Sequence, residues 1–187
     1  MKWRLWGGVA LALLLCVAFL RFCVRFLPAD APSTEPEVQS PVRSGALLVP
    51  VEGVQPTALT DTFSQSRAAG ARRHDAIDIL APHGTAVLAA SDGPVEKLFW
   101  SEAGGRTIYQ RSPDGRLSFY YAHLDRYAPD LREGAMLRRG QRIATVGSTG
   151  NANPSAPHLH FAVHAMGPGD PWYGGRAVNP YPLLTAR

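Results

Sequence analysis

The 187-residue chain carries 19 Lys and Arg against 15 Asp and Glu, a formal net charge of +4. That surplus is Lys2, Arg4, Arg21 and Arg25, so from Pro28 onward 15 basic and 15 acidic side chains balance, and a neutral body of this kind argues against a nucleic-acid partner. Both cysteines, Cys16 and Cys23, lie in the N-terminal segment, which leaves the rest of the chain without a disulfide, a thiolate metal site or a cysteine nucleophile.

In chain order, Leu5–Leu20 is an uncharged run of 16 residues behind Lys2 and Arg4. At ~1.5 Å per residue it falls short of a ~30 Å hydrocarbon core, but it becomes long enough if it continues to Leu27 with Arg21 and Arg25 snorkelling toward the headgroups. Residues 5–27 are therefore expected to anchor the chain in a membrane. A cleaved signal peptide is the competing expectation, because Ala29-Asp30-Ala31 has a small-x-small pattern, although it lies well beyond the apolar run. Lys2, Arg4 and the α-amino group slightly outnumber Arg21 and Arg25, which places the bulk of the chain outside the cytoplasm. Residues 28–44, rich in Pro, Ser and Glu and without apolar periodicity, read as a solvated spacer. Residues 45–187 then form one domain.

Within that domain, short β-like runs are expected over residues 46–51, 76–80, 86–90, 95–100, 106–110, 117–123, 142–146 and 158–164. Turn signals separate them: Pro82-His83-Gly84, Asp92-Gly93-Pro94, Ala103-Gly104-Gly105, Pro113-Asp114-Gly115 and the stretch from Gly147 to Gly150. No window of a dozen residues keeps a helical period free of Gly or Pro. The pattern predicts an all-β, antiparallel barrel or sandwich.

Three clusters in this frame carry chemistry. In the alternating run from His158 to His164, a strand would present His158 and His160 on one face and send Leu159, Phe161 and Val163 to the core. Alone, such a pair equally suits a polar sheet face. In the run from His74 to Leu80, period two groups His74, Ala76 and Asp78 and buries Ile77 and Ile79; an Asp between two isoleucines calls for a cation or a hydrogen-bond donor. The plain alternative is a turn-capping Asp paired with Arg72 or Arg73. Together the two clusters offer neutral imidazoles and a carboxylate, a donor set suited to catalytic zinc. His123, ending the run Tyr120-Tyr121-Ala122-His123, could move a proton beside such a site, or could simply hydrogen-bond in a loop. His83 is expected to be exposed, and His164 receives no role.

His74-x-x-x-Asp78, Tyr121-x-His123-Leu124 and His158-x-His160-Phe161, in that order, resemble the HxxxD, YxHL and HxHF motifs of the M23 (LytM/lysostaphin-type) zinc metallopeptidases. The interleaved glycines at 84, 93, 134, 140, 147 and 150 agree, and the resemblance covers roughly residues 63–183. It implies one zinc ion held by His74, Asp78 and His160, with His123 and His158 as catalytic proton carriers. It also implies a LytM-like β fold and hydrolysis of peptide bonds in bacterial peptidoglycan. With the anchor, it implies a catalytic domain in the periplasm on the inner membrane, and a D-alanyl-diaminopimelate cross-link as substrate. Ala76 stands where the family usually has Gly, and Ala162 where a Glu often follows HxHF; neither removes an implied ligand.

A catalytically silent LytM-like domain that binds peptidoglycan or activates an amidase is the alternative from another class. Such domains typically lose ligands, and all five positions are kept here. Residues 133–143 also resemble the hairpin of biotinyl or lipoyl carriers, but Lys97, the one lysine beyond the anchor, falls inside an expected strand. There is no Gly-x-Ser-x-Gly elbow for a serine hydrolase, and no carboxylate pair stands out for a glycosidase.

Overall fold

The computed structural model describes residues 47–67 and 72–186. The expected anchor, the spacer and the start of the domain lie outside the described residues. Two short strands, β1 (Ser66–Arg67) and β2 (Arg72–Arg73), pair as a hairpin of their own. A nine-stranded antiparallel sheet follows, built from β3 (Ile77–Leu80), β4 (Ala86–Leu88), β5 (Gly93–Ser101), β6 (Gly105–Arg111), β7 (Leu117–Tyr127), β8 (Met136–Leu137), β9 (Arg142–Val146), β10 (His158–Ala165) and β11 (Arg176–Val178). Its main order is β11-β10-β7-β6-β5-β8, with β3 also beside β10, β9 beside β7 and β4 beside β9.

Register explains why this chain folds with one wet and one dry face. The β10–β7 ladder sets His160 opposite Ala122 and Phe161 opposite Tyr121, while β10–β3 sets His160 opposite Asp78 and Phe161 opposite Ile77. Continuing across the sheet, Tyr120 faces Tyr109 and Tyr121 faces Ile108. Alternation therefore sends Ile77, Ile79, Ile108, Phe119, Tyr121, Leu159 and Phe161 into one buried cluster, each contributing about 1.5–3 kcal/mol of hydrophobic stabilisation for a side chain of aliphatic or Phe size. The opposite face keeps Asp78, His160, Ala122, Tyr120 and Tyr109.

The barrel expectation is corrected: the sheet stays open. Strands β3 and β11 share one edge of β10, at Phe161–His158 and Val163–Ala165 respectively, and β8 contributes only two paired residues beside β5. Edge strands of four, three and two residues are too short to close a ring of ladders. Short edges are also the usual protection against edge-to-edge pairing.

The strand expected over 46–51 is reduced to a bridge between Val51 and Val87, flanked by hydrogen bonds from Leu48 N to the Ala90 carbonyl and from Leu88 N to the Pro50 carbonyl. Pro50 has no N–H to continue a ladder. A short helix, α1 (Pro180–Thr185), closes the described chain; Asn179 caps it by accepting from Tyr181 N, and Pro180 occupies a first-turn position where no N–H is needed. Among the described residues no helix is long and apolar enough to cross a membrane.

Candidate metal centre

The strand reading of the His74–Asp78 run holds only for its second half. Asp75 takes a left-handed backbone, φ 53°, before β3 begins at Ile77, and Ala76 is fully buried rather than sharing a face with its neighbours. The turn, not sheet alternation, swings His74 over Asp78. Thr62 fixes both: its carbonyl accepts from His74 Nδ1–H at 2.9 Å, and its Oγ1 accepts from Asp78 N at 3.1 Å. A carbonyl can only accept, so His74 carries its proton on Nδ1 and turns the Nε2 lone pair inward.

That lone pair meets two others. His74 Nε2 lies 3.0 Å from Asp78 Oδ1 and 3.1 Å from His160 Nδ1, and His160 Nδ1 lies 3.2 Å from the same Oδ1. Tetrahedral zinc with bonds of ~2.0–2.1 Å would hold its ligand atoms about 3.3 Å apart, so this triangle fits the ion with little adjustment. Two imidazole nitrogens and a carboxylate oxygen are also the hard-to-borderline donors zinc accepts, and the three residues stand together as a group able to hold a metal.

Beside the triangle stand two more imidazoles. His158 Nδ1–H donates to the Ala156 carbonyl at 2.8 Å, which leaves Nε2 as its lone pair, 3.7 Å from Asp78 Oδ1. His123 Nδ1–H donates to the Thr149 carbonyl at 2.8 Å, which does the same for its Nε2. The rings of His123 and His158 lie 5.1 Å apart, and those of His123 and His160 5.5 Å apart. His123 has φ 61°, a backbone cost that a non-glycine residue bears only where the surroundings impose it. Here they do: its N–H donates to the Gly104 carbonyl at 2.8 Å while its ring is tied to Thr149. Gly105 and Gly150 let these two loops touch, because a Cβ on either would collide with the other's backbone nitrogen.

The protonation states favour metal binding. Burial works against the charge on Asp78, but the close approach of His160 and His74 outweighs it and holds the carboxyl far below the usual carboxylate range. Burial lowers His160, and Asp78 only partly restores it. Burial also lowers His123, to about 4, the Thr149 carbonyl opposing in part. At neutral pH the carboxyl is ionised and these two imidazoles are neutral, the forms in which such groups bind metal or accept protons. Burial raises Tyr120 well above the ordinary tyrosine value; its ring lies 6.0 Å from that of His160 and keeps a neutral hydroxyl at the groove floor.

All five residues singled out in the sequence line one groove of about 720 Å³, together with Arg73, Tyr120, Leu80 and the loop from Asn151 to Asn153. Among the described residues of 54–73, Arg73 lines the groove, and Thr62 braces His74 and Asp78. His83 is exposed, its Nε2 3.6 Å from Asp125 Oδ1 and outside the groove lining. Lys97 sits inside β5 in an ion pair with Glu133 at 2.9 Å, no place for a carrier lysine. Sequence reasoning missed Thr62, Thr149 and Ala156, whose contribution is mainly a backbone carbonyl that any residue type could supply.

A family model described as "Peptidase family M23" matches residues 72–180, which contain His74, Asp78, His123, His158 and His160. The chain belongs to that family. The L-Ala–D-Glu endopeptidase of Bacillus subtilis (strain 168) is 33% identical over 131 residues, 67% of this chain and 39% of the relative. The murein hydrolase activator NlpD of Escherichia coli (strain K12) is 34% identical over 139 residues, 74% of this chain and 31% of the relative. The chain therefore spans two-fifths or less of these curated relatives. The catalytic domain of the antimicrobial peptidase lysostaphin from Staphylococcus simulans superposes with a TM-score of 0.56 at 29% identity, covering 68% of this chain and 90% of that one. The M23 match thus joins this sheet and groove to a family containing both peptidoglycan endopeptidases and an activator of murein hydrolases.

Proposed function

We propose that the protein is a zinc-dependent endopeptidase that hydrolyses peptide cross-links of bacterial peptidoglycan. The observation that carries this reading is the convergence of five intact side chains: a ligand triangle of His74, Asp78 and His160, with the Nε2 atoms of His123 and His158 left available beside it. When bound there, zinc supplies a Lewis acid that lowers the pKa of a water and polarises a carbonyl. His123, neutral down to about pH 4, accepts a proton at Nε2 as water attacks and returns it to the leaving amine. His158, with its Nε2 lone pair facing the same opening, accepts a hydrogen bond from the attacking water and helps to orient it. The carbonyls of Thr149 and Ala156 fix both rings, so neither must reorganise during the step.

The finer reading is a D-alanyl-diaminopimelate cross-link. Diaminopimelate keeps a free carboxylate next to the bond, and Arg73 on the groove lining offers it a cation; a glycyl bridge carries no such charge. Residues 5–27 anchor the chain in the cytoplasmic membrane and residues 28–44 hold the domain in the periplasm, in agreement with a wall substrate. Similarity to NlpD carries the second reading, a domain that stimulates an amidase without cutting.

Metal content and muropeptide release from sacculi, measured for wild type, His160→Ala and His123→Ala, test the proposal. It expects one zinc per chain and release for wild type, neither for His160→Ala, and zinc without turnover for His123→Ala. Stoichiometric zinc with no hydrolysis of any wall preparation supports the activator reading instead.

A further inference from the structure

The wet face of the sheet does not end at the metal ligands. From His160 a file of rings in contact crosses it: Tyr120 at 6.0 Å, then Tyr109 at 4.7 Å from Tyr120, then Trp172 at 4.8 Å from Tyr109. Trp172 also contacts Phe99 at 5.3 Å and Tyr173 at 5.0 Å. Register puts the strand members on one face, since Tyr120 pairs with Tyr109, Tyr109 with Lys97, and Phe99 follows Lys97 by two. Trp172 and Tyr173 come from the loop after β10, which is held in place by Gly167 N donating to Asp170 Oδ2 at 2.7 Å and Gly174 N donating to the Pro171 carbonyl at 2.8 Å. Phe99 is 40% exposed and Tyr173 68% exposed.

We propose that this file, Tyr109, Phe99, Trp172 and Tyr173, is a saccharide platform on which the glycan strand of peptidoglycan lies while its stem peptide occupies the metal groove. The inference rests on the peptidoglycan reading above. Three features select a sugar over other occupants. The rings form a continuation of the groove floor rather than a separate patch, so whatever lies on them is joined to what is cut. Aromatic faces offer a flat apolar surface that matches the C–H face of a pyranose, and Tyr and Trp edges stay polar for its hydroxyls. The far end of the file is flanked by the Lys97–Glu133 ion pair, whose charges suit hydroxyl and acetamido groups and not a lipid interior or an apolar protein core. Phe99 and Tyr173 are the file's exposed members, with Tyr109 and Trp172 half-buried between them.

The test uses the full chain, wild type and Tyr173→Ala, with Trp172→Ala as a second variant; Tyr173 is exposed enough that its removal leaves the fold intact. Two readouts are taken. The first is kcat/KM on a cross-linked peptide dimer with and without its disaccharides, read as the ratio of the two. The second is sedimentation with glycan strands stripped of peptides. The proposal expects the ratio to be about ten in wild type and to fall toward one in the variants, with co-sedimentation lost in parallel. Equal losses on both dimers, or stripped strands that bind the variants as well as wild type, overturn it. If wild type cuts neither dimer, the hydrolase reading fails alone, and sedimentation still decides: binding lost in the variants supports the platform, and no binding by wild type removes it.

Discussion

Replacing His123 by Gln offers a direct check on the buried neutral imidazole that the proposed chemistry requires. Gln can still donate to the Thr149 carbonyl but cannot titrate, so the variant isolates one ionisation. Because burial depresses the folded pKa from 6.5 to about 4, the unfolded chain takes up a proton first on acidification. Stability linked to His123 is therefore fully present above pH 6.5 and is lost as pH falls through the window from 6.5 to about 4. Between pH 7 and pH 5 the linkage amounts to about 2 kcal/mol, with a ceiling of about 3 kcal/mol below pH 4. His160 and His164, also lowered by burial, act in the same direction, so the wild-type curve alone is steeper than His123 makes it. The difference between wild type and His123→Gln removes their share. Urea unfolding of the metal-free domain, residues 45–187, at pH 7 and pH 5 should show wild type losing about 2 kcal/mol more than the variant. Parallel losses would mean that His123 is solvated or charged in the folded state, and the argument for its basic Nε2 would fall.

Three further outcomes follow from particular contacts. Thr62→Val keeps the carbonyl that orients His74 but removes the Oγ1 acceptor of Asp78 N; zinc affinity, read by competition with a chromogenic chelator, should fall about 10–100-fold, with about 1 kcal/mol of stability lost. Gly150→Ala meets both a left-handed backbone, φ 75°, and the backbone of Gly104 and Gly105, so it should cost about 2–3 kcal/mol in thermal unfolding and displace the Thr149 carbonyl from His123. In kinetics, His123→Ala should lower kcat by roughly 10²–10⁴-fold with zinc content unchanged; loss of the metal would place His123 among the ligands instead.

Period-two patterning was readable wherever a strand ran long enough to show it. Residues 142–146 and 158–164 match β9 and β10 closely, because alternating Leu159, Phe161 and Val163 must all reach one core. Strands β8 and β11, of two and three residues, carry no period to detect. Pro50 hid the opposite error, a β-like run that cannot complete a ladder. At the site, side-chain identity was legible and its supports were not. His74, Asp78, His123, His158 and His160 announce themselves by type and spacing, whereas the groups that aim three of the imidazoles are carbonyls of Thr62, Thr149 and Ala156, which leave no mark on composition. The left-handed turn at Asp75 is equally silent, since Asp takes that conformation without requiring it. The aromatic file was invisible for a different reason: Phe99, Tyr109, Tyr120 and Trp172 are scattered along the chain and meet only through the β5–β6–β7 register and the loop after β10.

The +4 net charge resolves in the same way, into an N-terminal surplus outside the described residues and a balanced remainder from Pro28 onward, whose informative groups surround one proposed ion. The measurement that bears most directly on that centre is digestion of defined cross-linked muropeptide dimers by the zinc-loaded full chain, with products identified by mass. Cleavage of the D-alanyl-diaminopimelate dimer into its two monomers, abolished by chelation and restored by zinc, is the predicted result. Intact dimers beside a stimulated amidase would contradict it.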